Sequence, residues 1–402
     1  MPDVRSVAIG FFVGTGSRDE SGELAGASHF LEHLLFKGTE SWSAADIAEA
    51  LDGVGGDCNA FTTKEYTAFY VRLLSEDLDL GLEILGNIML EPALRRKDVD
   101  AERKVILDEI LMHADEPGDQ AGERFQSALF LDHPLGRDTL GTKESIADIT
   151  STDVRAFFDR HYLPRNMVVS VAGSFDHETV AAKIDRQFSN RSGGSAPLRV
   201  SPGAAQKPLV VTDRPTEQVH MVIGARCVSR FDEQRWAFSI LSHVLGGGLS
   251  SRLFQKVREQ RGLVYSIWSE RAAFQDAGSI AVAAGTAPEH VEEVLEIVVE
   301  ELELLAKEGI TEKELKIAKG SHRAEALLSC EDSAARMMRI GTALLLHGEV
   351  KSIDEILERI ERVDESAVAA VASELLDRPR TLSVVGPVEA GGVNLDRVRG
   401  SL

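Results

Sequence analysis

The stretch His29-Phe30-Leu31-Glu32-His33 organises this sequence. Apolar residues recur around it with the spacing of a helix, at Ala27, Phe30, Leu31, Leu34 and Leu35. The two histidines are four residues apart, so they lie one turn above each other on the face opposite that apolar stripe. Both imidazoles can therefore reach one metal ion, with the carboxylate of Glu32 beside them. The pattern H-x-x-E-H is the inverted form of the H-E-x-x-H zinc motif.

A second helix, predicted over 97–113, carries two glutamates where apolar residues are expected. Its apolar face is defined by Val99, Val105, Ile106 and Ile110. Glu102 and Glu109 are seven residues apart, two helical turns, and both fall inside this apolar arc. Burying an ionised carboxylate without a partner is costly, so two such glutamates indicate a bound cation. A carboxylate is a common third ligand of a catalytic zinc ion.

Composition excludes several classes of protein. The chain has 402 residues, which suggests two or more domains, and its 43% apolar content fits a globular protein with a sizeable core. Its net charge of −21 argues against nucleic acid or an anionic membrane as the main partner and is compatible with basic peptides as substrates. The three cysteines are isolated and odd in number, which predicts a reducing compartment without a disulfide framework.

Targeting signals are not evident in the sequence. There is no run of 18 apolar residues and no signal-peptide pattern, so we expect a cytoplasmic protein without a membrane span. Near the N-terminus, apolar alternation begins almost at once, at Val7, Ile9, Phe11 and Val13. This early start is what we expect if an earlier partner strand were absent from the sequence.

The order of elements in the first half is repeated in the second half. The matching segments are 7–13 with 219–225, 29–33 with 239–243, 151–161 with 366–376, and 166–173 with 380–386. A stretch rich in Gly, Ser and Pro separates the halves and predicts a linker. We therefore predict two domains, 1–190 and 208–402, joined by a linker at 191–207. Ser239 and Ser242 replace the first histidine and the glutamate of the motif, so the second copy cannot build the same metal site.

Taken together, these residues resemble the zinc peptidase family of pitrilysin, insulin-degrading enzyme and mitochondrial processing peptidase. The resemblance covers nearly the whole chain and also rests on Gly55-Gly56, on the segment 59–62, on the segment 245–254 and on Tyr265. It implies an α+β fold of two homologous α/β-roll domains, each a mostly antiparallel sheet with helices packed on one face. The chain length matches the short, processing-peptidase-like branch, whose two-domain subunits pair as dimers.

The resemblance also implies roles for the residues of the motif. His29, His33 and Glu109 would hold one Zn2+ per chain, and Glu32 would act as the general base for a water molecule. Glu102 would orient a ligand histidine.

Two further groups of residues match the family's substrate-binding positions. Asn59-Ala60-Phe61-Thr62 resembles the family's edge strand, to which an extended peptide adds through main-chain hydrogen bonds. Arg258 and Tyr265 match the family's Arg-x6-Tyr pair, which contacts substrate near the scissile bond and helps to stabilise the oxyanion. Arg261 is a nearby competitor for the arginine role.

The function implied is that of a zinc metalloendopeptidase that cuts unfolded peptides or presequences inside the chamber of a dimer. A homodimer is expected and a heterodimer stays open; no nucleic acid or membrane partner is expected. A non-catalytic scaffold or partner subunit is the main alternative, although such relatives typically lose zinc residues. A structural zinc site normally has four protein ligands, and three are found here. Cys58 and His113 suggest a cysteine protease, but no third orienting group is evident.

Overall fold

The computed structural model describes residue 1 and residues 3–388, which form two compact units. The first unit contains Met1–Leu111, Arg137–Arg199 and Leu327–Lys351. The second contains Met112–Gly136, Val200–Ala326 and the described part of Ser352–Leu402. Residues 191–207 carry no helix or strand. The domain boundaries given above stay predictions.

The elements are named in chain order. The strands are β1 (Ser6–Val13), β2 (Asp57–Thr62), β3 (Thr67–Leu74), β4 (Met167–Gly173), β5 (Leu209–Asp213), β6 (Val219–Cys227), β7 (Val264–Ala273), β8 (Gly278–Thr286) and β9 (Arg380–Gly386). The helices are α1 (Ala27–Leu35), α2 (Ala44–Gly53), α3 (Leu78–Leu90), α4 (Arg96–Asp115), α5 (Pro117–Leu129), α6 (Lys143–Asp148), α7 (Ser151–His161), α8 (His177–Phe188), α9 (Arg235–Gly246), α10 (Val291–Glu308), α11 (Glu312–Leu328), α12 (Ser333–His347), α13 (Ile353–Glu361) and α14 (Glu365–Asp377). By length and hydropathy, none of the helices in the described part of the chain could cross a membrane.

The first unit is built on a four-stranded antiparallel sheet in the order β2-β3-β1-β4. The central strand β1 is buried from Val7 to Val13, because helices cover both faces of the sheet. One face packs against α1, α2, α3, α4, α7 and α8 through a core that includes Phe30, Leu31 and Ile106. The other face packs against α12, where Met337 contacts Ala8 and Phe12.

The second unit repeats this plan around a five-stranded sheet in the order β5-β9-β6-β8-β7. The β5–β9 pair is parallel and the other three pairs are antiparallel. One face packs against α9, α10, α11 and α14. The other face packs against α5, through Phe125 and Leu129.

The predicted α+β fold with two homologous units is therefore confirmed, and the structure adds one helix on the second face of each sheet. These two helices occupy equivalent positions in the sequence order, since α5 follows α4 and α12 follows α11. Each belongs to the unit formed mainly by the other half of the chain. Helical periodicity shows that both are amphipathic, but it does not specify the sheet on which each one packs.

A glycine determines where the motif helix begins. Gly26, at the N-cap of α1, has a φ of +89°, a conformation that favours glycine. A Cβ atom there would lie 2.6 Å from the carbonyl oxygen of Leu140. The close approach of these two backbone segments fixes the start of α1 and with it the position of His29.

Candidate metal centre

Helices α1 and α4 bring the three predicted metal ligands together. The Nε2 atoms of His29 and His33 lie 3.2 Å apart. Oε2 of Glu109, on α4, lies 3.6 Å from each of these two nitrogens. Among the described residues, these three side chains are the one group of this kind whose ligand atoms all lie within 4.8 Å of one another.

The spacing of the three atoms matches what a tetrahedral zinc ion requires. With zinc–ligand bonds of about 2.0–2.1 Å, neighbouring ligand atoms in a tetrahedron lie roughly 3.3 Å apart. Oε2 of Glu109 is buried and accepts no hydrogen bond, which is costly for a carboxylate oxygen. A cation among His29, His33 and Glu109 would remove that cost, so the residues present fit zinc.

Glu102 lies against the outer nitrogen of one ligand. Its Oε1 is 2.9 Å from Nδ1 of His33, and Glu102 itself is 5% exposed. If Nδ1 carries the proton and donates it to this carboxylate, the lone pair of Nε2 faces His29 and Glu109. This is the geometry expected of a carboxylate that orients a metal-binding histidine.

Glu32 lies on the same helix face, where burial affects its charge. Burial raises the pKa of the Glu32 carboxyl above its usual range. The Thr62 hydroxyl, which donates to Glu32 Oε2 at 2.6 Å, and the nearby His33 lower that pKa, whereas Glu109 raises it. A carboxylate with a raised pKa is a stronger base, as the predicted proton-accepting role requires.

The four predicted substrate-binding residues lie on β2, at the edge of the first sheet. Oδ1 of Asn59 accepts the backbone N–H of Ala60 at 2.8 Å. Phe61 packs on the α12 side of the sheet, with its ring 5.7 Å from that of Tyr66. Thr62 instead contacts Glu32, which lies on α1. The side chains of Phe61 and Thr62 therefore lie on opposite faces of the sheet.

Arg258 and Tyr265 lie together in the second unit, at two irregular backbone positions. Arg258 belongs to a π-helix, Phe254–Glu259, a rare element that often marks functional sites. Tyr265 lies at a register shift between Val264 and Ser266 on the edge strand β7, and it is 79% exposed. The guanidinium carbon of Arg258 lies 5.4 Å from the Tyr265 ring centroid and 4.8 Å from that of Phe254.

Arg261 makes a different contact from Arg258. Its guanidinium forms a 2.9 Å ion pair with Glu293. Arg258 thus stacks on Tyr265, whereas Arg261 pairs with Glu293, and the assignment of the arginine role to Arg258 stays a prediction.

The helix equivalent to α1 in the second unit carries different chemistry. Oγ of Ser239 is 3.4 Å from Nε2 of His322, and the rings of His243 and His322 lie 5.3 Å apart. Oγ of Ser242 lies 2.8 Å from Oγ of Ser269. Hydroxyl groups therefore occupy the positions that correspond to a predicted zinc ligand and the predicted base in the first unit.

The cysteine protease alternative is not supported by the surroundings of Cys58. Burial, together with the charge of Asp57, raises the pKa of the Cys58 thiol to about 12. Since the thiolate is the nucleophile, this cysteine is unreactive near neutral pH.

Two contributors to the site were not predicted from the sequence. Lys37 places its ammonium Nζ 2.7 Å from Oε2 of Glu102. The sequence could have indicated this contact, because Lys37 follows His33 by four residues and so lies one helical turn further along the same face. Glu20 accepts the backbone N–H groups of Gly26 at 2.8 Å and of Ser28 at 2.7 Å, at the N-terminus of α1. No local pattern links Glu20 to that helix, because the loop between them has no periodicity.

Glu20 makes the stability of the fold depend on pH. Burial raises its pKa from an ordinary value of 4.5 to about 7, although the two N–H groups lower it. Between these values the unfolded chain loses the proton and the folded chain keeps it. The contribution of Glu20 to stability is therefore fully present below pH 4.5 and is lost as pH rises to about 7, by on the order of 3 kcal/mol.

We therefore expect Glu20→Gln to become more stable relative to the native protein as pH rises from about 5 to 8. The amide keeps one acceptor oxygen for the helix N-terminus and does not ionise. Urea unfolding at several pH values measures this difference, with Glu49→Gln on the exposed surface of α2 as the control. A Glu20→Gln difference that stays constant across this range would show that Glu20 does not retain its proton in the folded state.

Comparison with known proteins identifies relatives across the chain. The sequence profile described as Insulinase (Peptidase family M16) matches residues 1–143, and the profile described as Peptidase M16 inactive domain matches residues 148–321. An uncharacterized zinc protease of Mycobacterium leprae is 44% identical over 96% of this chain and 88% of its own length. The uncharacterized zinc protease YmxG of Bacillus subtilis is 35% identical over 96% of this chain and 94% of its own length.

Two crystal structures share the fold. A peptidase M16 inactive domain from Pseudomonas fluorescens superposes with a TM-score of 0.89 at 20% identity, over 96% of this chain and 94% of that one. A protease from Helicobacter pylori also has a TM-score of 0.89, at 22% identity, over 96% of this chain and 95% of that one.

Proposed function

Because the chain belongs to the insulinase (peptidase M16) family, we propose that it is a zinc-dependent endopeptidase that hydrolyses peptide bonds of unfolded peptides or presequences. One observation carries this proposal. Two imidazole nitrogens and one buried carboxylate oxygen converge at the spacing of a zinc ligand set, with the carboxylate of Glu32 on the same helix face.

The chemistry divides between the metal and the side chains around it. When bound by His29, His33 and Glu109, zinc supplies Lewis acidity, which acidifies a water molecule and polarises the scissile carbonyl. Glu32 takes the proton of the attacking water on a carboxylate oxygen and delivers it to the leaving amine. The hydroxyl of Thr62 donates a hydrogen bond to Oε2 of Glu32 at 2.6 Å, which holds the carboxylate in place.

We further propose that substrate adds as an extended strand at β2 and meets Arg258 and Tyr265 of a partner subunit. An edge strand can pair with a peptide of almost any sequence through its backbone. The 79% exposure of Tyr265 supports a role in binding something outside its own unit. The resemblance to dimeric processing peptidases supports a homodimer as the assembly.

The position of the inactive-domain match bears on the non-catalytic alternative. That profile covers 148–321, which contains Ser239 and Ser242 but none of the zinc residues. All of the ligands and the base lie within the 1–143 match to the peptidase profile. The word inactive thus describes the half of the chain that lacks the ligand set, which supports catalysis by the other half.

A peptide-library digest tests the proposal. Protein loaded with zinc is expected to cut short unstructured peptides, and removal of zinc by a chelator is expected to abolish the cleavage, with recovery when zinc is restored. A stably folded protein added to the same reaction is expected to survive if the site is enclosed. Zinc-loaded protein that cuts no peptide in the library, or cleavage that persists without metal, would contradict the assignment.

A further inference from the structure

Lys37 is linked to the candidate zinc site through a buried carboxylate. It lies two residues beyond the end of α1 and four residues after His33. Its Nζ is 2.7 Å from Oε2 of Glu102, whose other oxygen, Oε1, is 2.9 Å from Nδ1 of His33. The three side chains form a continuous path that ends at a proposed zinc ligand.

The backbone after α1 holds Lys37 in place. The N–H of Lys37 donates to the carbonyl oxygen of Leu34 at 3.0 Å. Gly38 follows with a φ of +109°, and a Cβ atom there would lie 2.7 Å from the carbonyl oxygen of Trp42. This turn therefore requires glycine, and it places the lysine beside the C-terminus of α1, where a cation is favourable.

The bonds from His33 and Lys37 reach different oxygens of Glu102, and together they can fix the orientation of its carboxylate. The terminal torsion of a glutamate side chain is broad, so a single hydrogen bond leaves the carboxylate plane free to turn. A second bond from Lys37 to the other oxygen fixes that plane. With the plane fixed, Oε1 stays in position to accept the Nδ1 proton of His33.

We propose that Lys37 is a positioning residue of the zinc site, which acts by holding Glu102 so that His33 presents Nε2 to the metal. This inference rests on the zinc site of the proposed function. Residues that bond the outer nitrogen of a ligand histidine typically change metal affinity by roughly 10- to 100-fold when they are altered. Lys37 contacts Glu102 and not the ligand histidine itself, and its side chain is 41% exposed. We therefore expect its removal to change zinc affinity less than the removal of Glu102 would.

Charge and positioning predict opposite results for the removal of this lysine. A cation near the site repels a divalent cation, so charge alone predicts that Lys37→Met strengthens zinc binding. Positioning predicts that the same change weakens zinc binding. The direction of the change therefore separates the two effects.

The experiment measures the zinc dissociation constant of purified variants by competition with a fluorescent chelator. Lys37→Met removes the charge and the bond, and Lys37→Arg keeps both, since a guanidinium can also reach the carboxylate. Lys104→Met is the matched control, because Lys104 is exposed on α4, the helix that carries Glu102. Thermal unfolding of the metal-free variants verifies that each one folds.

We expect Lys37→Met to bind zinc about 3- to 10-fold more weakly than the native protein, with Lys37→Arg and Lys104→Met within about 2-fold of it. Unchanged or tighter binding by a folded Lys37→Met would overturn the positioning role. Loss of affinity that Lys37→Arg does not restore would also overturn it. If the native protein itself binds no zinc, the proposed function fails, which is a different outcome from a native protein that binds zinc with no effect of Lys37.

Discussion

Glu32→Gln is expected to keep zinc and fold but to lose turnover by roughly 10²- to 10⁴-fold. The change removes the proposed proton acceptor and leaves the three proposed zinc ligands in place. The amide has nearly the same shape, and its oxygen can still accept from the Thr62 hydroxyl. Steady-state hydrolysis of a peptide found in the library digest, together with metal analysis of the same sample, measures both properties.

Glu109→Gln provides the matched comparison for this variant. Both carboxylates lie near His33, but it is Oε2 of Glu109 that lies 3.6 Å from Nε2 of His29 and of His33. Glu109→Gln is therefore expected to weaken zinc binding, and excess zinc should restore part of its activity. If Glu32→Gln lost the metal and Glu109→Gln retained both metal and fold without turnover, the two roles would have to be exchanged.

Arg258→Ala/Tyr265→Phe is expected to lower activity by roughly 10²- to 10³-fold, because the donors proposed to stabilise the oxyanion are lost. Its zinc content should be unchanged, since neither residue belongs to the ligand set. The pair is stacked on the second unit, with Tyr265 exposed, so the double change should leave the fold intact.

Mixing variants tests whether the pair acts across a dimer. A Glu32→Gln chain and an Arg258→Ala/Tyr265→Phe chain are each expected to be nearly inactive alone. In a mixed dimer the intact zinc site of the second chain would meet the intact pair of the first, and one working site per heterodimer should reappear. The mixture is re-equilibrated through dissociation and the heterodimers are confirmed with differential tags. Confirmed heterodimers without recovered activity would rule out the arrangement across the dimer.

The grouping of residues in the candidate metal centre could be predicted from the sequence because their spacing is helical. The residues of α1 repeat with the period of a helix, and the observed α4, Arg96–Asp115, contains the helix predicted over 97–113. Two residues seven apart on one helix must share a face, whatever the rest of the fold does. This is why Glu102 and Glu109 could be assigned to one buried face of their helix, whereas the pairing of Glu109 with the histidines of α1 was implied by the family resemblance.

Other features of the structure depend on tertiary packing, and the local sequence has no pattern that predicts them. Phe61 belongs to an edge strand in which neighbouring residues face opposite sides of the sheet, and the sequence motif alone does not say which side faces the metal. The π-helix at Arg258 and the register shift at Tyr265 are irregularities without a sequence period. The exchange of α5 and α12 between the units likewise depends on long-range packing.

The most direct test of the zinc site is the zinc content of the native protein compared with that of His29→Ala/His33→Ala. Both proteins are loaded with zinc, separated from free metal by gel filtration and analysed by mass spectrometry of the metal. The site geometry predicts about one zinc ion per native chain and almost none in the double variant, because a single remaining carboxylate ligand cannot hold the ion. Stoichiometric zinc retained by a folded double variant would contradict the assignment.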